Sequence, residues 1–240
     1  MTNDGVPLPR AVLFDFYGTL ARWRDRDLSN YMTVLAAHGY DLPPAVLNDY
    51  FARYDGIEHV EHSVDEQAYE AWVRQRLGEL TAACGVGRHD LDVVLDALRA
   101  SDRGPMDAYP DAAPALRALR RAGLTIGVCS NWGWELDAFL GQVGLLTLVD
   151  VAVTSARAGA RKPHPRIYAH TSAALGVRPD EVVFVGDSWG PDVQGPRQAG
   201  MTAVHLWRED ERSGQTAPDL GDGAYRVCDL AGLLEILRVS

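Results

Sequence analysis

Ala11-Val12-Leu13-Phe14-Asp15-Phe16-Tyr17-Gly18-Thr19-Leu20 is a run of four apolar residues that stops on an acid and passes at once into an aromatic pair, a glycine and a hydroxyl. A strand covered by helices on both faces reads as a continuous apolar run rather than an alternating one. Residues 11–14 are therefore read as a buried parallel strand with Asp15 at its carboxyl end. Four further runs have the same character: Thr125-Ile126-Gly127-Val128-Cys129, Val149-Asp150-Val151-Ala152-Val153, Val182-Val183-Phe184-Val185 and Thr202-Ala203-Val204-His205. Between them, Ala112 to Ala122, Trp134 to Val143, Arg166 to Leu175 and Val193 to Ala199 carry apolar residues at helical spacing. Gly123, Gly144, Gly176 and Gly200 each fall just past a helix, where a left-handed cap is wanted. The alternation predicts an α/β fold built on a doubly wound parallel sheet.

One segment interrupts it. From Arg24 to Gly104 no strand run occurs, while Leu28 to His38, Pro44 to Tyr54, Glu66 to Cys84 and Leu91 to Arg99 all read as helices. The expected organisation is thus an α/β core from residues 1–23 and 105–240, with a helical domain, 24–104, inserted after the first strand. That insertion is a candidate lid, since ligands bind at the carboxyl edge of such sheets and loops there carry function. Glu209 to Asp222, rich in charge with Gly and Pro, reads as an irregular surface loop.

Composition excludes several classes. Among 240 residues, 33 acids oppose 23 bases for a formal charge of -10, which argues against the clustered Lys and Arg of a nucleic-acid footprint. A small anionic substrate stays open, because one pocket can be positive in an acidic protein. Three cysteines, Cys84, Cys129 and Cys228, make no CxxC pair and argue against a disulfide framework or zinc site. The N-terminus has no signal-peptide pattern, and no apolar stretch approaches the ~18 residues of a membrane helix. The expectation is a soluble, cytoplasmic protein without membrane or nucleic-acid partners, its oligomeric state open.

Each expected strand ends in chemistry. Asp15 to Leu20 follow the first, Ser130-Asn131 the second, Arg161-Lys162-Pro163 come after the third, and Gly186-Asp187-Ser188 close the fourth with Asp192 five residues beyond Asp187. Parallel strands bring these ends to one edge, so three carboxylates would share a crevice with one Lys162. Like charges that close are costly, and a divalent cation offsets them. Taken singly, an Asp after a strand is an ordinary cap or turn residue; the ordered set is what points to a site.

In that order the residues resemble the motifs of the haloacid dehalogenase-like hydrolase superfamily, over nearly the whole chain. Asp15-Phe16-Tyr17-Gly18-Thr19 resembles its Asp-x-Asp-Gly-Thr motif, Ser130 its second motif, Lys162 its third, and Asp187 with Asp192 its acidic fourth; the insertion resembles the helical (C1-type) cap. The resemblance implies that Asp15 is a nucleophile forming a covalent aspartyl intermediate. It implies Mg²⁺ on Asp15, the Tyr17 backbone carbonyl, Asp187 and Asp192. It also implies that Ser130, Asn131 and Lys162, with backbone N–H groups at Phe16 and Thr19, hold the anionic group.

One residue departs from the pattern. Phosphatases of the family carry an acid two residues beyond the nucleophile, where this chain has Tyr17, whose phenol with pKa near 10 is a poor base at neutral pH. His59, His62 and His164 are candidate substitutes, and a good leaving group such as an acyl phosphate would suffer least from the loss. Tyr17, with Lys162 followed by Tyr168, also resembles the 2-haloacid dehalogenase branch. Against that branch, Asp187 and Trp189 stand where it has Ser and Asn, and no Arg occurs between Arg26 and Arg53.

Three readings follow: a Mg²⁺-dependent phosphatase of a small phosphorylated metabolite, which leads; a 2-haloacid dehalogenase; and a non-catalytic ligand-binding member. Candidate cap residues facing substrate are Tyr50, Phe51, Arg53, Tyr54, His59, His62, Tyr69 and Trp72, each with core packing or a solvated face as its ordinary reading. Trp132, Trp134 and Trp189 are candidate pocket walls, and Arg22, Arg24 and Arg26 a source of positive potential near the entrance.

Overall fold

The computed structural model describes residues 9–24, 29–53, 62–102, 104–212, 214–221 and 224–239. Six parallel strands form the central sheet: β1 (Ala11–Phe14), β4 (Thr125–Ser130), β5 (Val151–Thr154), β6 (Val182–Gly186), β7 (Thr202–Leu206) and β8 (Ala224–Val227). Their order across the sheet is β5-β4-β1-β6-β7-β8. The chain builds outward from β1 through β4 to β5, then returns to the other side of β1 for the remaining three. That reversal leaves the crevice of a doubly wound sheet at the carboxyl ends of β4, β1 and β6.

The apolar run that opens the chain fills both faces at once. Val12 and Phe14 join the cluster with Leu116, Leu119, Phe139 and Leu233, while Ala11 and Leu13 join the opposite one with Ile167, Tyr168 and Phe184. Successive strand residues point to opposite faces, so a strand buried on both sides has no polar position to spare. The first layer holds α5 (Ala112–Arg121), α6 (Leu136–Gln142) and α10 (Leu230–Ile236), and the second holds α8 (Pro165–Leu175) and α9 (Gly195–Gln198), with α7 (Ser155–Ala158) following β5. Gly123, Gly144, Gly176 and Gly200 all take positive φ, between 67° and 85°.

Between β2 (Ala21–Trp23) and β3 (Met106–Ala108), which pair antiparallel with Trp23 opposite Met106, the chain makes four helices: α1 (Ser29–Ala37), α2 (Pro44–Ala52), α3 (Glu66–Ala83) and α4 (Leu91–Ser101). They enclose their own apolar cluster, including Leu35, Leu42, Leu77, Leu80 and Leu98. Among the described residues, no helix is long and apolar enough to cross a membrane.

The sheet differs from expectation at three places. β8 and the β2–β3 pair are additional strands, and the helix expected over Val193 to Ala199 begins as a π-helical turn, Trp189–Gln194, before becoming α9. Pro191 and Pro196 withhold two backbone N–H groups from that segment, which disfavours a regular ladder.

Candidate active site

Asp15, the first residue beyond β1, is held by its neighbours on both sides. Its backbone N–H donates to Val185 O at 2.9 Å. One carboxylate oxygen, Oδ1, accepts from Ser130 Oγ at 2.8 Å and from Lys162 Nζ at 2.7 Å. Lys162 Nζ also donates to Asp192 Oδ1 at 2.6 Å, and Asp192 Oδ2 accepts from Ser188 N at 2.9 Å. Asp15, Ser130, Lys162 and Asp192 are all buried. Three strand ends and the π-helical turn thus converge as the topology requires, and the ammonium beneath Asp15 fixes the orientation of its carboxylate.

Asp15, Asp187 and Asp192 each present an oxygen within 4.8 Å of the others, an arrangement able to hold a metal ion. Two glycines make this approach possible. A Cβ on Gly18, whose φ is +80°, would lie 2.8 Å from Asp187 Cγ; one on Gly186 would lie 2.4 Å from Asp192 Cγ. The π-helical turn is itself held in place by Tyr168, whose buried hydroxyl donates to Pro191 O at 2.6 Å.

The charges strain one another. Burial, followed by the nearby Asp15, pushes Asp187 up to about 6 against the opposing pull of Arg212. Burial also raises Asp192, although Lys162 opposes it. Burial alone would lower Lys162, but Asp15 and Asp192 outweigh it and hold the ammonium well above its ordinary range. A divalent cation fits this donor set, because hard oxygen ligands of net negative charge suit Mg²⁺.

Arg212 is a neighbour of the cluster that the sequence hid. Its Nη2 donates to Asp187 Oδ2 at 2.6 Å and to Asp187 O at 2.9 Å. Lys162 therefore does not face the three carboxylates alone, as the sequence suggested, since a second cation lies on the cluster. It comes from the charged stretch read as an irregular surface loop, and no periodicity marks such a residue. His205 joins it: Arg226 Nε donates to its Nδ1 at 3.3 Å, which leaves the proton on Nε2, 3.1 Å from Asp187 O.

The other expected residues divide. Tyr17 lines the crevice, 39% exposed, in a cavity of about 260 Å³ that it shares with Asp15, Ser130, Lys162, Asp187 and Asp192. Asn131 lines it too, but its amide is spent on Lys162, donating to the backbone O at 3.0 Å and accepting from the backbone N at 2.7 Å. Asn131 thus positions Lys162 rather than presenting a free amide to an anion. Phe16 and Thr19 are fully buried and their side chains line no part of this cavity. Phe16 meets Trp132 edge-on at 5.3 Å, and Thr19 O accepts from Arg208.

Of the candidate histidines, His164 Nδ1 accepts from Arg166 N at the start of α8, and His62 stacks on Trp72 at 5.2 Å; His59 lies outside the described residues. Neither described imidazole lines the crevice. Trp132 walls the crevice, stacked on Trp23 at 5.7 Å. Trp134 packs near Tyr69, and Trp189 against His205. Tyr50 and Phe51 pack with each other and with Tyr31, while Tyr54 lies outside the described residues. Arg22 pairs with Glu211 and Arg24 with Asp107; Arg26 is outside the described residues. A larger cavity, about 410 Å³ between α3 and α4, holds none of the strand-end residues.

Comparison with known proteins agrees with this fold. A family model for haloacid dehalogenase-like hydrolases matches residues 9–200. Phosphatase MT3486 of Mycobacterium tuberculosis is 42% identical over 133 residues, covering 54% of this chain and 55% of that protein, so the chain spans only about half the length of this relative. (S)-2-haloacid dehalogenase 1 of a Pseudomonas species is 27% identical over 214 residues, 83% of this chain and 85% of its own. A solved structure of a HAD phosphatase from Thermococcus onnurineus superposes with a TM-score of 0.65 at 26% identity, covering 95% of this chain and 97% of that one.

Proposed function

The chain belongs to the haloacid dehalogenase-like hydrolases, and from that premise we propose that it is a Mg²⁺-dependent phosphatase acting on a small phosphorylated metabolite. One observation carries the reading: two carboxylates besides the nucleophile, Asp187 and Asp192, are brought within 4.8 Å of Asp15. Displacing a halide needs neither of them. A cation at that point serves a phosphoryl group, whose own charge would otherwise be repelled.

In this proposal a carboxylate oxygen of Asp15 attacks phosphorus, the bond to the leaving oxygen breaks, and the leaving group takes the electron pair. Ser130 and Lys162 orient the nucleophile, and the ammonium balances charge on the phosphoryl oxygens. Water then attacks phosphorus, releasing inorganic phosphate and restoring the carboxylate. Mg²⁺, held by Asp15, Asp187 and Asp192 with the Tyr17 carbonyl, would offset the negative charge of the incoming phosphoryl group. Tyr17 puts a phenol where a carboxylic acid would stand two residues beyond the nucleophile, so substrates with acidic leaving groups, acyl phosphates above all, are favoured. Helices α1–α4, residues 24–104, serve as a cap that selects among them.

The dehalogenase reading has one observation of its own, the phenol of Tyr17 where a proton donor would stand. A parallel assay separates the two: phosphate release from a panel of phosphate esters and acyl phosphates with Mg²⁺, and chloride release from 2-chloropropionate without metal. Phosphate release that EDTA abolishes is the expected outcome. Metal-independent chloride release with no phosphate release would overturn the proposal, and Asp15→Asn is expected to abolish turnover while leaving the fold intact.

A further inference from the structure

The stretch from Arg208 to Arg212 crosses the edge of the active site as a strap tied at several points. Arg208 donates to both oxygens of Asp111 at 3.0 Å and to Thr19 O at 3.1 Å. Glu211 accepts from Arg22 at 2.8 Å and from Tyr109 Oη at 2.5 Å. Arg212 sits at the end of the strap, its guanidinium 4.9 Å from the ring of Trp207 and one nitrogen shared between the side chain and backbone oxygens of Asp187. A bond to a charged partner at 2.6 Å, with both side chains at least three-quarters buried, is stronger than a surface ion pair.

We infer that Arg212 is a resident counter-cation of the acidic cluster, a latch on Asp187 that a divalent metal displaces. The inference rests on reading Asp187 as a metal ligand. With Lys162 and Arg212 both in place, the three carboxylates retain one net negative charge. With Arg212 withdrawn they retain two, the charge that a divalent cation neutralises. The guanidinium and the metal thus compete for one carboxylate, and the strap lowers the apparent metal affinity by the fraction of molecules in which the latch is closed. Its anchors on Arg22 and Tyr109 hold the strap beside the site while the side chain lets go.

Titration calorimetry with Mn²⁺ alone, on the full chain without substrate, tests this in the wild type, R212Q and R212K. R212Q is expected to bind Mn²⁺ about ten-fold more tightly, the scale of one charge-assisted hydrogen bond. R212K, which keeps the charge but loses the shared geometry, is expected between them. In the wild type Mn²⁺ is also expected to change tryptophan fluorescence as the guanidinium leaves the Trp207 ring, a change that Trp207→Phe removes. Equal or weaker binding by R212Q overturns the latch while leaving the metal reading intact. Absence of Mn²⁺ binding in all three proteins overturns both. Should R212Q fail to fold, R212K decides by the same comparison with the wild type.

Discussion

Gly186 leaves the candidate site almost no room for change. A single methyl group there would lie 2.4 Å from Asp192 Cγ and 2.5 Å from its Cβ, and Asp192 cannot retreat without breaking its 2.6 Å bond to Lys162. Gly186→Ala is therefore expected to cost about 1–3 kcal/mol, as overpacking does, and to lower kcat by more than the stability loss explains; urea unfolding and steady-state kinetics on the same preparation check it. Tyr17 carries a different expectation. General-acid assistance is worth roughly 10²–10⁴-fold, and in the proposed metal-loaded enzyme Asp15, Asp187 and Asp192 are committed to the cation, with Asp15 and Asp192 also tied to Lys162. Phosphate release from aryl phosphates should thus rise steeply with the acidity of the phenol released. Tyr17→Phe should leave that slope unchanged, and Tyr17→Asp should flatten it by adding a proton donor; a shallow slope in the wild type would mean that a donor exists elsewhere. Residues of this kind were legible in sequence because each closes a buried strand. Arg212 was not, because its partner Asp187 is reached through a tertiary contact that leaves no local pattern.

The elements were legible in proportion to their burial. β1, β4, β6 and β7 have no exposed side chains, so hydrophobicity alone marks them. β8 is the edge of the sheet, and three of its four residues are half-buried; Ala224-Tyr225-Arg226-Val227 has too little apolar character and too short an alternation to stand out. The π-helical turn was missed for another reason, since apolar spacing cannot report where proline removes a donor. The helices between β2 and β3 were legible as helices, and their separate cluster gives a prediction at this scale. Leu98 is fully buried among Leu77, Leu80 and Val94, so Leu98→Ala is expected to cost about 2–5 kcal/mol. The loss should localise, with amide exchange accelerating in α1–α4 before the central sheet; uniform acceleration would show that the helical unit has no stability of its own. One tie across the boundary moderates the effect: Arg99 of α4 donates to Glu70 of α3 at 2.6 Å and to Glu135, just before α6, at 2.9 Å.

For the molecule as a whole, the acidic cluster makes stability depend on pH in an unusual direction. Burial and Asp15 push Asp187 up to about 6, and burial raises Asp192 as well, whereas an unfolded Asp titrates near 3.9. From about pH 4 upward the folded metal-free chain holds protons that the unfolded chain has released, so stability falls as pH rises and this contribution is gone above the folded values. His205 works against it. Burial lowers it to about 4, with Arg226 and Arg212 adding to the effect against the bond to Asp187 O, so its neutral ring favours the folded state as pH rises from about 4 to 6.5. Surface carboxylates held low by arginine, such as Asp107 and Asp180, titrate below this window. Two raised carboxyls against one lowered imidazole leave a net loss of stability between pH 4 and 7. Urea unfolding in EDTA at pH 5, 6, 7 and 8 is expected to show falling midpoints, more steeply in His205→Gln, and a flat or rising series would contradict the charge balance. Mg²⁺ at one fixed concentration, a hundred times its dissociation constant at pH 8, should restore about 2.7 kcal/mol at that pH by mass action. That recovery should be largest at pH 8, where no protons remain to be displaced and the cluster's negative charge is complete.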